Sequence, residues 1–95
     1  MSVYTVLLTK KAKKQLSKLD KSTAKLIAAW LKKNLDGCEN PRINGKPVVE
    51  PKPLVANKAG QWRYRVGDYR ILAEIKDEEI IILVLQVRHR REIYQ

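Results

Sequence analysis

Residues 62–71 read WRYRVGDYRI, a pattern that predicts a tight β-hairpin. Gly67 and Asp68 make the two-residue turn, because glycine readily takes the positive φ that such turns require. Counting outward from the turn places Arg65 directly opposite Arg70. The hairpin is therefore predicted to hold two cations side by side on neighbouring strands.

Side chains alternate between the two faces of a strand, so this hairpin separates its residues by chemistry. The predicted core face carries aromatic and apolar side chains: Trp62, Tyr64, Val66, Tyr69, Ile71 and Ala73. The opposite face carries Arg63, Arg65 and Arg70. Directly opposed like charges destabilise a sheet by up to about 1 kcal/mol. An anion held by the guanidinium groups would offset that repulsion, and phosphate matches their geometry. The alternative is a solvated face on which the arginines splay apart.

The remaining elements follow from apolar periodicity and capping residues. Strands are predicted at 3–8, 61–66, 69–76 and 79–87. A first helix at about 10–18 has Thr9 as its N-cap, and a second runs from Asp20 or Ser22 to about Leu35. The apolar stripe of the second helix comprises Ala24, Ile27, Ala28, Leu31 and Leu35. Residues 37–60 contain all four prolines and are predicted to form one long loop.

The order β-α-α-β-β-β predicts an α+β fold. Its helical hairpin packs on one face of a small, mainly antiparallel sheet, and a short C-terminal tail follows. The length of 95 residues predicts a single domain spanning 1–95.

The charge balance points to a polyanionic partner. Twenty Lys and Arg against ten Asp and Glu give a formal net charge of +10. Nucleic acid is the first candidate partner, an acidic protein the second and an anionic membrane surface the third. No segment has the length of a spanning helix, and the N-terminus does not resemble a signal peptide. With one cysteine and one histidine, neither an internal disulfide nor a metal site is expected. These features favour a reducing cytoplasm and no cofactor.

The tail RHRREIY, residues 88–94, adds more cations beside the hairpin. Histidine is the side chain suited to proton transfer near neutral pH, and tyrosine can stack on a base or move a proton. The alternative is that His89 is simply solvated and that Ile93 and Tyr94 pack the tail against the core.

Four stretches together resemble the RelE/ParE superfamily of type II toxins, and the RelE branch in particular. They are VYTVLLTKKAKKQLSKLDK, NPRINGKP, WRYRVGDYRILAEI and HRREIY, which span nearly the whole chain in order. The resemblance implies a ribosome-dependent endonuclease that cuts mRNA without a metal ion. It also implies neutralisation by a co-expressed, acidic antitoxin.

The resemblance implies catalytic roles for the hairpin arginines Arg63, Arg65 and Arg70 and for the tail residues Arg90 and Tyr94. His89 corresponds only loosely to a tail histidine that some members use as acid or base. A second set is expected to bind ribosomal RNA: Lys10, Lys11, Lys13, Lys14, Lys21, Lys25, Arg88 and Arg91.

Two departures and two alternatives accompany the resemblance. Arg88 stands where the family usually has glycine, which predicts an altered tail path or activity. The segment KPVVEPKPLVANKAG is longer and richer in proline than its usual counterpart. The alternatives are a ParE-like inhibitor of DNA gyrase and an RNA-binding module that cuts nothing.

Overall fold

Two helices pack on one face of a five-stranded mixed sheet, in a computed structural model that describes residues 3–47, 61–89 and 91. The elements are β1 Thr5–Leu8, α1 Lys10–Ser17, α2 Lys21–Asn34, β2 Gly45–Pro47, β3 Gln61–Val66, β4 Tyr69–Lys76 and β5 Ile81–His89. The strand order is β1-β5-β4-β3-β2. Strand β1 runs parallel to β5, and the other neighbours are antiparallel. The predicted α+β class is confirmed.

Both helices begin at the predicted caps. The Thr9 hydroxyl accepts a hydrogen bond from the Ala12 amide at 3.1 Å, which starts α1. Asp20, rather than Ser22, is the N-cap of α2, and its carboxylate accepts from the Thr23 amide at 3.3 Å. Hydrogen bonds from Ser22 and Thr23 lower the pKa of Asp20 to about 2, so the cap stays ionised at neutral pH. No helix in the described part of the chain is both long and apolar enough to span a membrane.

The core lies between α2 and the helix-facing side of the sheet. Ile27, Leu31 and Leu35 of the predicted stripe are buried there against sheet residues that include Tyr64 and Ile71. The prediction that Ala28 belongs to the buried stripe is wrong, because Ala28 is exposed. Burial of these large side chains, at about 25 cal/mol per Å² of apolar surface, is the main force that joins the helices to the sheet.

The predicted hairpin register is confirmed over its whole length. Val66 faces Tyr69 and Arg65 faces Arg70, and Gly67 has a φ of 60° in the turn between them. The extent of the long loop is corrected, because residues 45–47 form β2 and pair with β3. The last strand is also corrected. It begins at Ile81 and continues through His89, beyond its predicted end at residue 87.

The turn between β4 and β5 places Ile80 in a strained backbone conformation. Its φ is 58°, a left-handed region where a β-branched side chain crowds the backbone. The Ile80 carbonyl accepts from the Thr5 amide at 3.1 Å, and its amide donates to the Asp77 carbonyl at 3.2 Å. These two bonds hold the backbone of Ile80 in this conformation.

Ile80→Gly is expected to be more stable than Ile80→Ala by about 1 kcal/mol. Both variants lose the same side-chain contacts, but only glycine removes the crowding at positive φ. The ordering is the reverse of that in an ordinary strand, where glycine is the less stable residue. Urea unfolding of the two variants measures the difference. An alanine variant as stable as the glycine variant would show that the turn carries no strain.

Candidate functional site

A row of three arginines crosses the sheet on the face opposite the helices. Arg65 on β3 lies opposite Arg70 on β4, which in turn lies opposite Arg88 on β5. Neighbouring strands are about 4.8 Å apart, so the backbones of the three arginines lie within two strand spacings. Arg65 and Arg88 are exposed and Arg70 is half-buried. We call Arg65, Arg70 and Arg88 the arginine row.

A β-bulge in β5 brings Arg88 into this row. Ala73 faces Val84 whereas Leu72 faces Gln86, so Leu85 is an extra residue in β5. The extra residue reverses the alternation beyond it, which directs Val87 into the core and Arg88 toward Arg70. Arg88 therefore extends the cationic face as part of strand β5, instead of starting a separate tail.

The central arginine of the row has an unsatisfied donor. Nη1 of Arg70 is enclosed by protein, and no hydrogen-bond acceptor in the described residues reaches it. A buried charged donor without a partner costs more than an ordinary lost hydrogen bond. An anion bound at the row would supply the missing acceptor once the Arg70 side chain turns to expose Nη1, and phosphate oxygens fit a guanidinium fork.

A concave pocket of about 580 Å³ lies beside the row and contains a lysine that the sequence pattern does not predict. Lys46 on β2 faces Arg63 on β3, and both are exposed. The lining residues are Ile43, Asn44, Gly45, Lys46, Arg63, Tyr64, Arg65 and Arg70. Lys46 was missed because residues 37–60 were predicted as loop. The sequence feature that pointed to Lys46 was the tripeptide GKP, because its glycine allows the backbone to lie close to a neighbouring strand.

The wall of the pocket, residues 41–47, is fixed to the sheet by side chains. The buried Tyr64 hydroxyl donates to the Pro41 carbonyl at 2.7 Å. Burial raises the pKa of Tyr64 far above its ordinary value, so this donor remains protonated. Arg42 donates two hydrogen bonds to Asp77, at 3.1 Å and 2.9 Å, and the Tyr4 hydroxyl donates to the same carboxylate at 2.6 Å. The wall is thus held in place at both Pro41 and Arg42.

The contribution of Asp77 to stability is expected to disappear in acid. Hydrogen bonds from Arg42 and Tyr4 hold the pKa of Asp77 below its usual value. Because the folded-state pKa is depressed, the stabilisation is present above the unfolded pKa of about 3.9 and is lost as pH falls below it. The side chains of Arg42 and Asp77 are 37% and 52% exposed, which limits the effect at neutral pH to about 1 kcal/mol.

The measurement compares urea unfolding of the wild type and Asp77→Asn at a series of pH values. The wild type is expected to be the more stable protein at neutral pH, and the two curves are expected to converge in acid. A difference that stays constant with pH would rule out an ionic role for Asp77.

His89 lies on the other side of the sheet from the arginine row. It faces Tyr69, and the two rings meet edge to face with centroids 5.1 Å apart. Its Nδ1 accepts a hydrogen bond from the Arg91 amide at 3.2 Å. The structure therefore does not bring His89 together with Arg65, Arg70 and Arg88, contrary to the expectation that the tail histidine joins them. Arg91 is exposed, and Arg90 and Tyr94 lie outside the described residues.

The predicted RNA-binding lysines form a separate surface. All six are exposed on the helical layer, on the far side of the sheet from the arginine row: Lys10, Lys11, Lys13, Lys14, Lys21 and Lys25. The chain thus presents cations on two faces. Within residues 3–47, 61–89 and 91, no group of three His, Cys, Asp or Glu side chains is placed to hold a metal ion.

The comparisons with known proteins agree on one protein family. The profile described as the ParE toxin of the type II toxin–antitoxin system parDE matches residues 6–94. Toxin RelG of Mycobacterium tuberculosis is 33% identical over 92 residues, which cover 97% of each chain.

Solved structures share the fold. The RelBE2 toxin–antitoxin complex of Mycobacterium tuberculosis contains a chain that is 31% identical, with a TM-score of 0.77 over 95% of this chain and 94% of that one. The isolated RelE toxin of Escherichia coli is 23% identical, with a TM-score of 0.68 over 97% of this chain and 92% of that one. The second likeness concerns the fold alone.

Proposed function

This chain belongs to the RelE/ParE superfamily of type II toxins, and from that membership we propose that it cuts mRNA in the ribosomal A site. The observation that carries the proposal is the arginine row with the enclosed, unsatisfied Nη1 of Arg70. Three arginines in register on neighbouring strands, of which Arg65 and Arg70 oppose each other directly and Arg70 has a donor lacking an acceptor, are suited to a phosphate whose negative charge grows during reaction.

The reaction proposed is an internal transfer at the RNA phosphate. The ribose 2′-hydroxyl loses its proton to a base and its oxygen attacks the adjacent phosphorus. The bond from phosphorus to the 5′-oxygen breaks, and that oxygen takes up a proton. The products are a 2′,3′-cyclic phosphate and a 5′-hydroxyl. Both the nucleophile and the leaving group belong to the RNA, so the chain needs to supply only alignment, charge and proton transfer.

The residues divide this work by position. Arg65, Arg70 and Arg88 stabilise the extra charge on the phosphate oxygens, and Arg63 lies two residues along β3 from Arg65 on the same face. Arg90 and Tyr94 complete the set in this proposal, with Tyr94 as the proton-transfer group. The described residues of the pocket include no carboxylate and no histidine. Alignment of the mRNA by the ribosome would compensate for the lack of a strong base.

An acidic antitoxin is the proposed partner in the cytoplasm. The solved relatives include toxin–antitoxin complexes, and this chain carries a net charge of +10. An acidic, extended segment would neutralise the arginine row by binding across it.

A second candidate function is inhibition of DNA gyrase, and the match to the ParE toxin profile favours it. Such an inhibitor acts through protein contacts and has no use for an enclosed guanidinium lacking an acceptor. We therefore rank it below the nuclease. A supercoiling assay with purified gyrase separates the two.

The experiment that tests the nuclease is primer extension on an mRNA incubated with the purified chain in EDTA, with and without programmed ribosomes. Cuts confined to the A-site codon, and only with ribosomes, are the expected result. The 5′ fragments should end in a cyclic phosphate. If the chain binds ribosomes without cleaving mRNA, the nuclease proposal is wrong and the chain is an RNA-binding module. Inhibition of gyrase would establish the second candidate function.

A further inference from the structure

The pocket holds a cationic pair that lies outside the arginine row. Lys46 and Arg63 face each other across β2 and β3, two residues along β3 from Arg65. Residues i and i+2 of a strand share a face and are about 6.8 Å apart. That separation is comparable with the distance between neighbouring phosphates of an extended RNA strand. The volume of about 580 Å³ is also far larger than one phosphate group fills.

The same wall presents an exposed apolar side chain at the rim of the pocket. Ile43 is 73% exposed, the highest value among the large hydrophobic side chains in the described residues. Its neighbours are fixed, since Pro41 accepts from Tyr64 and Arg42 is bonded to Asp77. A held isoleucine beside cations gains nothing from a phosphate. It would gain from contact with the apolar face of a nucleic-acid base.

We propose that Lys46 and Arg63 bind the phosphate next to the one at the arginine row, and that Ile43 packs on the base of that nucleotide. This second subsite rests on the proposed function, because it assumes that RNA occupies the row. It assigns residues 43–46 a role in placing the strand and in selecting the base beside the cut. RNA fits these groups better than an acidic peptide, because a peptide carboxylate brings no aromatic face to Ile43.

The test measures the affinity of the full chain for a fluorescent 2′-O-methyl RNA tetranucleotide, which the proposed reaction cannot cleave. Each linkage is made neutral in turn as a methylphosphonate. In the wild type, two adjacent linkages are expected to weaken binding when neutral. Lys46→Ala should abolish the effect of one of them, and Arg70→Ala should abolish the effect of the other.

Lys46→Ala is expected to raise Kd about 3- to 10-fold and to lower the salt slope by roughly 0.7. Lys33→Ala is the matched control, because Lys33 is exposed on α2 and its loss changes net charge equally. Ile43→Ser should raise Kd for the intact tetranucleotide. It should not raise Kd when the nucleotide next to the row is abasic.

Several outcomes would overturn the subsite. The first is that the wild type shows no saturable binding of the tetranucleotide. The second is that Lys46→Ala and Lys33→Ala raise Kd equally. The third is that Lys46→Ala raises Kd by the same factor whichever linkage is neutral. If hexaglutamate displaces the RNA and every variant loses the same affinity, the pocket is a general anion-binding surface instead. The nuclease is judged separately by ribosome-dependent cleavage. If the wild type cleaves mRNA but the effect of Lys46→Ala does not depend on which linkage is neutral, the subsite alone is rejected. If that dependence is found but the wild type does not cleave mRNA, the nuclease alone is rejected.

Discussion

Arg70→Ala is expected to lower the rate of the proposed ribosome-dependent mRNA cleavage by about 10²- to 10³-fold, the range found when one charge-stabilising donor is removed from an active site. Arg70 is the centre of the arginine row, flanked by Arg65 on one strand and Arg88 on the other. Its enclosed Nη1 has no acceptor among the described residues, so a phosphate oxygen would gain a charge-assisted hydrogen bond there once the side chain turns toward the row. Single-turnover cleavage on programmed ribosomes, assayed by primer extension, measures the loss.

Arg70→Lys separates charge from geometry. Lysine keeps the positive charge but lacks the two-pronged donor, so it should recover only part of the lost rate. Ribosome binding should be nearly unchanged in both variants, because the six exposed helix lysines lie on another face. If the Arg70→Ala variant cleaves mRNA at the wild-type rate, the arginine row takes no part in the chemistry.

The same position should show opposite effects on activity and stability. Arg70→Met keeps the aliphatic stem and removes the like-charge repulsion with Arg65. We expect it to cleave as slowly as Arg70→Ala and to be at least as stable as the wild type in urea unfolding. A variant that lost activity together with several kcal/mol of stability would indicate a structural role for Arg70 instead.

Gly45→Ala is expected to destabilise the fold by about 1–3 kcal/mol and to disrupt the pocket. A Cβ at this position would lie 2.5 Å from the Arg63 carbonyl oxygen and 2.6 Å from Cδ1 of Trp62. The backbone oxygen cannot move without breaking the pairing of β2 with β3. The substitution therefore displaces Lys46 from Arg63, and RNA affinity should fall together with stability.

Gly67→Ala is the matched control for that prediction. Its added methyl would meet no atom within 4 Å, so the cost comes only from its φ of 60°. A loss of about 1 kcal/mol with unchanged RNA affinity is expected. Urea unfolding and fluorescence anisotropy measure the two quantities. If Gly45→Ala keeps wild-type stability and affinity, the close approach of β2 to Trp62 is not needed for the site.

The confirmed predictions are those that depend on neighbours in the chain. The two-residue turn at Gly67 determines the register of β3 and β4, and alternation then places Arg65 beside Arg70. Thr9 and Asp20 cap the helices because their side chains reach amides three residues ahead. The features that differ from the predictions all involve distant pairing. They are strand β2 with Lys46, the inclusion of Arg88 in strand β5, and the separation of His89 from the arginines.

The amino-acid sequence alone predicts the helical hairpin, the β3–β4 register and the clustering of Arg63, Arg65 and Arg70 on one face. Local periodicity, capping and turn chemistry suffice for these. Which further cations join these arginines depends on long-range strand pairing. The bulge at Leu85 directs Arg88 into the arginine row and His89 away from it. The packing of Gly45 against Trp62 lets β2 place Lys46 opposite Arg63. Both outcomes depend on contacts between strands that lie far apart in the chain, and a one-residue shift in either pairing would exchange the two faces.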